Sequence, residues 1–269
     1  MSRDPARRRP PHLRRPLPPS IPTVGATCRL IREELGLSRD TAAVRLGISR
    51  SHLGDIERDR RAPTEEFLEQ IIAGYQLDLA LARHLRELRA AADTLEPTAV
   101  LREAVTTNPA LMCHLQGLHE RGELAAYVDS AWTLLACNDA FREAAPGLHP
   151  GASIPVWMFS DDARKLFPRW PHEADHATAN IRGIAGRYRG SQQVQTIFHS
   201  LRPLEDFRTR WNNGVHTAYG RDPSDLMHAH HPTTGRTSSY SLTITNQSEH
   251  IFLIILSEHP GRNLGANRP

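Results

Sequence analysis

The chain has 269 residues, of which 39% are hydrophobic and 23% charged, with a formal net charge of +3. That length suits two small domains better than one, and the composition is that of a folded soluble protein, not a disordered or fibrous one. The longest wholly apolar run, residues 251–256, falls far short of the roughly 20 residues that cross a bilayer. Cys28, Cys113 and Cys137 are too scattered for a disulfide framework or a CxxC metal pair, which with the Arg/Pro-rich start points to a reducing cytoplasm.

Residues 1–62 carry 14 arginines against 7 acidic residues, whereas the remainder is acidic overall, so a polyanionic partner is expected for the N-terminal part alone. Residues 1–24 read as a disordered basic arm, because their arginines and prolines show no apolar period and cannot build a core. Five short helices follow over residues 25–92. Cys28, Ile31 and Leu35 mark the first, and Ser38 and Ser49 are the expected caps of the second and third. Thr64 opens the fourth, with Phe67, Leu68, Ile71 and Tyr75 as its buried stripe, and Leu81, Leu85 and Leu88 line the fifth.

A linker is placed at residues 93–97. Beyond it, residues 98–105 and 109–120 read as helices, residues 124–130 and 132–137 as two strands, and residues 160–212 as mainly helical. Tyr240, Leu242 and Ile244 alternate with polar residues, and residues 251–256 form a further strand. Strands at both ends with helices between them predict an α+β domain with an antiparallel sheet over residues 98–259, followed by a flexible tail at residues 260–269.

Residues 37–57, LSRDTAAVRLGISRSHLGDIE, have the logic of a helix-turn-helix. Ala43 lets two helices cross closely, Gly47 permits the positive φ of the turn, and Leu46, Ile48, Leu53 and Ile56 supply a shared core. Residues 25–92 resemble the Cro/C1-type (XRE) DNA-binding domain, with Asp59 standing where the usual Glu-x-Gly-x-x-x-Pro pattern has glycine. The resemblance implies that the third helix enters the major groove of double-stranded operator DNA. Arg50, Ser51 and Asp55 then face bases with His52 beside them, Arg39 and Ser49 hold phosphates, and Arg58, Arg60 and Arg61 flank the backbone. A homodimer on a two-fold site is expected.

The order Tyr127-Val128-Asp129, Trp132, Cys137-Asn138-Asp139-Ala140, Trp157-Met158-Phe159, Phe207-x3-Trp211 and His231-Pro232 resembles the MmyB-like ligand-binding domain, which implies a PAS-like sheet and a small hydrophobic or acyl ligand. Trp157, Phe159, Phe207 and Trp211 are the expected ligand contacts. No cofactor or membrane partner is expected. GxSxG, GxxxxGK and HExxH are absent, so the reading is of a regulator and not an enzyme. The rival is a metal-dependent enzyme or metal sensor built on His228 and His230, with His216 or His250 as third ligand; a third reading is a pure dimerisation platform.

Overall fold

The computed structural model describes residues 18–259, so the readings of residues 1–17 as a disordered arm and of residues 260–269 as a flexible tail lie outside the described residues. Residues 18–23, read with the arm, form no helix or strand, but Pro19 is buried and Ile21 packs on the core of the C-terminal domain.

Five helices come first: α1 (Val24–Glu34), α2 (Arg39–Arg45), α3 (Arg50–Ile56), α4 (Glu65–Tyr75) and α5 (Leu79–Arg89). Each starts on a cap. Thr23, Ser38, Ser49, Thr64 and Asp78 accept a hydrogen bond from the backbone N–H three residues on, satisfying a donor that a helix start leaves open. Gly47 turns α2 into α3 at φ 62°. Cys28, Ile31, Ala43, Leu46, Leu53, Leu68 and Ile71 form the buried centre of this unit.

The second unit begins with α6 (Thr98–Thr106) and α7 (Pro109–Glu120), then β1 (Leu124–Asp129) and β2 (Leu134–Cys137). Helices α8 (Asp139–Ala144), α9 (Ile154–Trp157), α10 (Asp161–Leu166), α11 (Trp170–Tyr188), α12 (Gln192–Leu201) and α13 (Glu205–Asn212) follow, and β3 (Met227–His230), β4 (Thr237–Ser248) and β5 (Ile251–Glu258) end the described chain. The strands form one antiparallel sheet in the order β2-β1-β5-β4-β3. Both faces are covered. Ala125, Tyr127 and Leu253 pack under α6 and α7, while the alternate residues Ala126, Val128 and Ile254 face the layer built from α8 to α13.

The sheet departs from the sequence reading most at its first turn and at its β3 edge. The second strand starts at Leu134 and not at Trp132, because Trp132 sits in the β1–β2 turn at φ 61°. The Asp129 carboxylate fixes that turn by accepting from the N–H groups of Ala131 (2.9 Å) and Thr133 (2.7 Å). Residues 227–230 form a strand of their own through pairing with β4, which their short Met-His-Ala-His pattern does not announce.

The two units pack on each other through α5 and α11. A Cβ on Gly186 would lie 2.5 Å from His84 Nδ1, so glycine is what lets these helices cross at this distance. Val215 joins the core of the first unit, its N–H donates to Glu34 (3.2 Å), and the Tyr219 hydroxyl donates to Glu87 (2.6 Å). The expected linker is held as well: Asp93 N–H donates to the Arg187 carbonyl, the Arg187 guanidinium pairs with the Asp93 carboxylate, and Gln193 donates to the Glu96 carbonyl. Among the described residues no helix is long and apolar enough to cross a membrane.

Candidate nucleic-acid interface and ligand cavity

The outer face of α3 is not covered by any of the described residues. Arg50 is 69% exposed in its side chain, Ser51 is exposed, and His52 and Asp55 are half-buried. Arg50, His52 and Asp55 are held from the side. Arg50 Nε lies 3.4 Å from Asp40 on α2, and the His52 ring meets Phe67 edge-on at 5.5 Å. Asp55 accepts from Arg58 (2.9 Å) and has Arg60 at 3.8 Å. Ser49 caps α3 by accepting from the His52 N–H, which leaves its own hydroxyl proton free to donate. Arg61 is exposed.

Beneath this face lies Glu57, buried and fixed by Arg32 of α1 and by Arg39 Nε of α2 (2.7 Å). Burial pushes the Glu57 carboxyl up, but hydrogen bonds from the two guanidinium groups outweigh it and hold the carboxyl below its ordinary value. Arg39, expected on phosphate, is therefore anchored at Nε first. Asp59 adopts φ 55° and accepts from the Thr23 hydroxyl (2.5 Å) and the Gly25 N–H (2.8 Å). Its charge is directed at the start of α1, not into the space beside α3.

The second unit encloses an apolar cavity of about 120 Å3 between the sheet and α8–α10, with Trp132, Phe141, Trp157, Phe167, Leu242 and Ile254 among its walls. Of the four expected ligand contacts, only Trp157 lines it. Phe159, Phe207 and Trp211 are locked with Phe198 and Trp170 into edge-to-face and tilted contacts with centroids 5.0–6.2 Å apart, and so fill the helical layer itself. Trp132, Leu242 and Ile254 were not singled out for the cavity. The alternation along β4 carries that signal for Leu242, whereas Ile254 lies in an unbroken apolar run that assigns no face and the role of Trp132 depends on its turn.

A second cavity, of about 210 Å3, lies where α5 meets α11, walled by Trp132, Tyr188, Tyr219 and Phe252 with Arg83 and Arg187. A wider groove of about 920 Å3 between residues 18–21 and α12 is open surface.

His228 and His230 do share one side of β3, but each Nδ1 is matched to a hydroxyl on β4, Ser239 at 2.8 Å and Thr237 at 2.9 Å. His250 lies instead beside Ser130 and Tyr188. Among the described residues no group of three or more His, Cys, Asp or Glu side chains is placed to hold a metal ion.

Residues 109–264 match the family model described as the MmyB-like transcription regulator ligand binding domain, and residues 23–85 match a helix-turn-helix domain model. No curated protein matches the chain.

Proposed function

The chain belongs to the MmyB-like transcription regulators, with a helix-turn-helix DNA-binding domain ahead of the ligand-binding domain, and from that premise we propose that it reads a specific operator and senses a hydrophobic, acyl-type ligand. The observation that supports the reading is the placement of two features on one body. Among the described residues the α3 face is open, α5 of the same domain rests on α11, and an apolar cavity lies inside the domain that α11 belongs to.

In this reading α3 enters the major groove. Arg50 forks onto guanine O6 and N7, Ser51 and His52 lie against neighbouring base edges, and Asp55 positions Arg58 and Arg60 while offering its second oxygen to a cytosine amino group. Ser49 and the terminal nitrogens of Arg39 meet phosphates, with Arg58, Arg60 and Arg61 on the flanking backbone. The working form is a homodimer on a two-fold related site. The cavity takes an alkyl chain, since its wall is almost wholly apolar.

Arg50→Ala tests the groove assignment. Selection of bound sites from a randomised library should show preference lost at one base pair, by about 1–3 kcal/mol. An equal loss of affinity on every sequence would make Arg50 a phosphate contact and the assignment wrong. Native mass spectrometry of the purified protein tests the sensor: an organic-extractable adduct supports it, and a bound transition metal counts against it.

A further inference from the structure

Strand β4 outruns the neighbour on its outer side. It spans 12 residues and pairs with β5 from Tyr240 onward, but β3 covers only Thr237 to Tyr240. The direction of its backbone groups follows from the two ladders. The Ser239 carbonyl accepts from the His259 N–H on the β5 side (2.8 Å), and the Arg236 carbonyl accepts from the His231 N–H on the β3 side (2.7 Å). By the alternation of an antiparallel ladder, Leu242, Ile244 and Asn246 turn their N–H and C=O groups outward, past the end of β3. Asp225 would continue β3 opposite Leu242, but its N–H donates to the Asp222 carbonyl (2.9 Å) and its carbonyl accepts from Arg221 Nε (2.6 Å). Among the described residues no hydrogen bond reaches the three edge positions from the outer side.

Folded proteins ordinarily blunt such an edge with lysine, proline or a covering segment, because open N–H and C=O groups are a template for another strand. Here none of these is present among the described residues. From Thr237 to Ser248 there is no charged residue, proline or glycine, and Thr243, Thr245 and Asn246 are exposed. The open stretch is also bounded. β3 closes it at Tyr240, and a register shift between Asn246 and Ser248 ends the regular strand on the other side.

We propose that this edge pairs with the same edge of a second copy of the chain, antiparallel about a two-fold axis at Ile244. An antiparallel strand pair is its own two-fold mate, so the surface is complementary to itself. Centred there, Leu242 faces Asn246 of the second copy, Ile244 faces its own counterpart, and every outward N–H and C=O of the three residues finds a partner. Thr243 and Thr245 of the two copies then stand opposite each other in the closer, non-hydrogen-bonded sites, where threonines pair well and no like charges meet. A slip of two residues brings Asn246 against the part of β4 that β3 already holds, or Leu242 against the irregular stretch beyond Asn246. The inference rests on the homodimer of the reading above and adds the surface through which it forms. Because α5 of the DNA-binding domain rests on α11 of the same body, pairing here sets the two α3 helices relative to one another.

The test is sedimentation velocity of the full chain over a concentration series without DNA, with hydrogen exchange read at residues 242–246. One strand from each copy is a small interface, so a concentration-dependent dimer is expected. Thr243→Lys combined with Thr245→Lys places lysine opposite lysine at both threonine sites and should raise the dissociation constant about tenfold or more. Thr243→Lys combined with Thr245→Glu sets each lysine opposite a glutamate and should keep a dimer at least as strong as wild type. Mixing the Thr243→Lys/Thr245→Lys chain with a Thr243→Glu/Thr245→Glu chain should return dimers that neither forms alone, which separates pairing from damage to the fold. Protection of the Leu242, Ile244 and Asn246 amides should rise with the dimer population. A dimer of unchanged strength in the Thr243→Lys/Thr245→Lys chain would place the contact elsewhere and overturn the inference while the homodimer reading survives. Edge amides already protected in the monomer would overturn it too, since another segment of the chain would then hold the edge. A wild-type chain that stays monomeric at every concentration would remove the homodimer reading and this inference with it.

Discussion

Asp59 stands where the helix-turn-helix resemblance has glycine, and the structure gives the exchange a physical reason. Its backbone takes the left-handed turn at φ 55°, which aspartate tolerates better than most residues, and its carboxylate then caps α1 through Thr23 and Gly25. Gly25 is matched to it, since a Cβ there would lie 2.0 Å from the Ile56 carbonyl oxygen. Asp59→Ala should therefore lose both the cap and the tolerance of the turn and cost about 1–3 kcal/mol in urea denaturation. DNA affinity, measured well below the unfolding midpoint, should stay within about twofold of wild type, because Asp59 does not face the α3 surface. Glu57 is a second case. Glu57→Leu takes from the buried Arg32 its buried carboxylate, leaving it the Leu37 carbonyl and the exposed Glu33, and a loss of about 3 kcal/mol is expected in the same assay.

Where elements meet, the α5–α11 crossing decides how the two units are joined. Gly186→Ala would be favoured by helix propensity by about 1 kcal/mol. Here it should destabilise the junction by about 1–3 kcal/mol, because the new methyl meets the His84 imidazole. The same imidazole makes the crossing sensitive to acid. Burial, then the nearby Arg182 charge, push His84 down to about 3 from its ordinary 6.5. The opened state takes up the proton first, so docking has its full strength above about pH 6.5 and weakens steadily as pH falls toward 3. Hydrogen exchange in α5 should rise between pH 7 and pH 5 once the intrinsic rate is corrected for, and His84→Leu should flatten that rise. His176, which burial holds at about 4, lies at the other end of α11; an unchanged rise in the His84 variant would assign the effect there.

At the scale of the molecule, the DNA-binding domain is not a free head on a tether. Val215 lies in its core, Tyr219 is bonded to Glu87, and residues 93–96 are hydrogen-bonded to α11 and α12. A ligand that changes operator affinity by a given factor must then have its own affinity changed by the operator by that same factor. Fluorescence titrations of an acyl-type ligand with and without operator, and of operator with and without that ligand, should return equal factors. A ligand that binds identically with and without operator would show that the cavity and α3 are uncoupled.

The sequence by itself determined the local structure. Caps at Ser38 and Ser49, the start at Thr64, the glycine turn at Gly47 and the apolar spacing within each helix placed the five helices, and the period-two pattern around Tyr240 to Ile244 placed the long strand. These signals are short-range, carried by side chains that bond or bury within a few residues of themselves. Only the tertiary structure decided that Phe159, Phe207 and Trp211 fill the helical layer while Trp132 lines two cavities, and that Arg83 of the first domain reaches the second. An aromatic residue at helical spacing carries the same pattern whether it fills a core or walls a cavity. Which of the two it does depends on neighbours brought from far along the chain, as Arg83, Trp132, Arg187 and Tyr219 are brought to one wall, and no local period encodes that meeting.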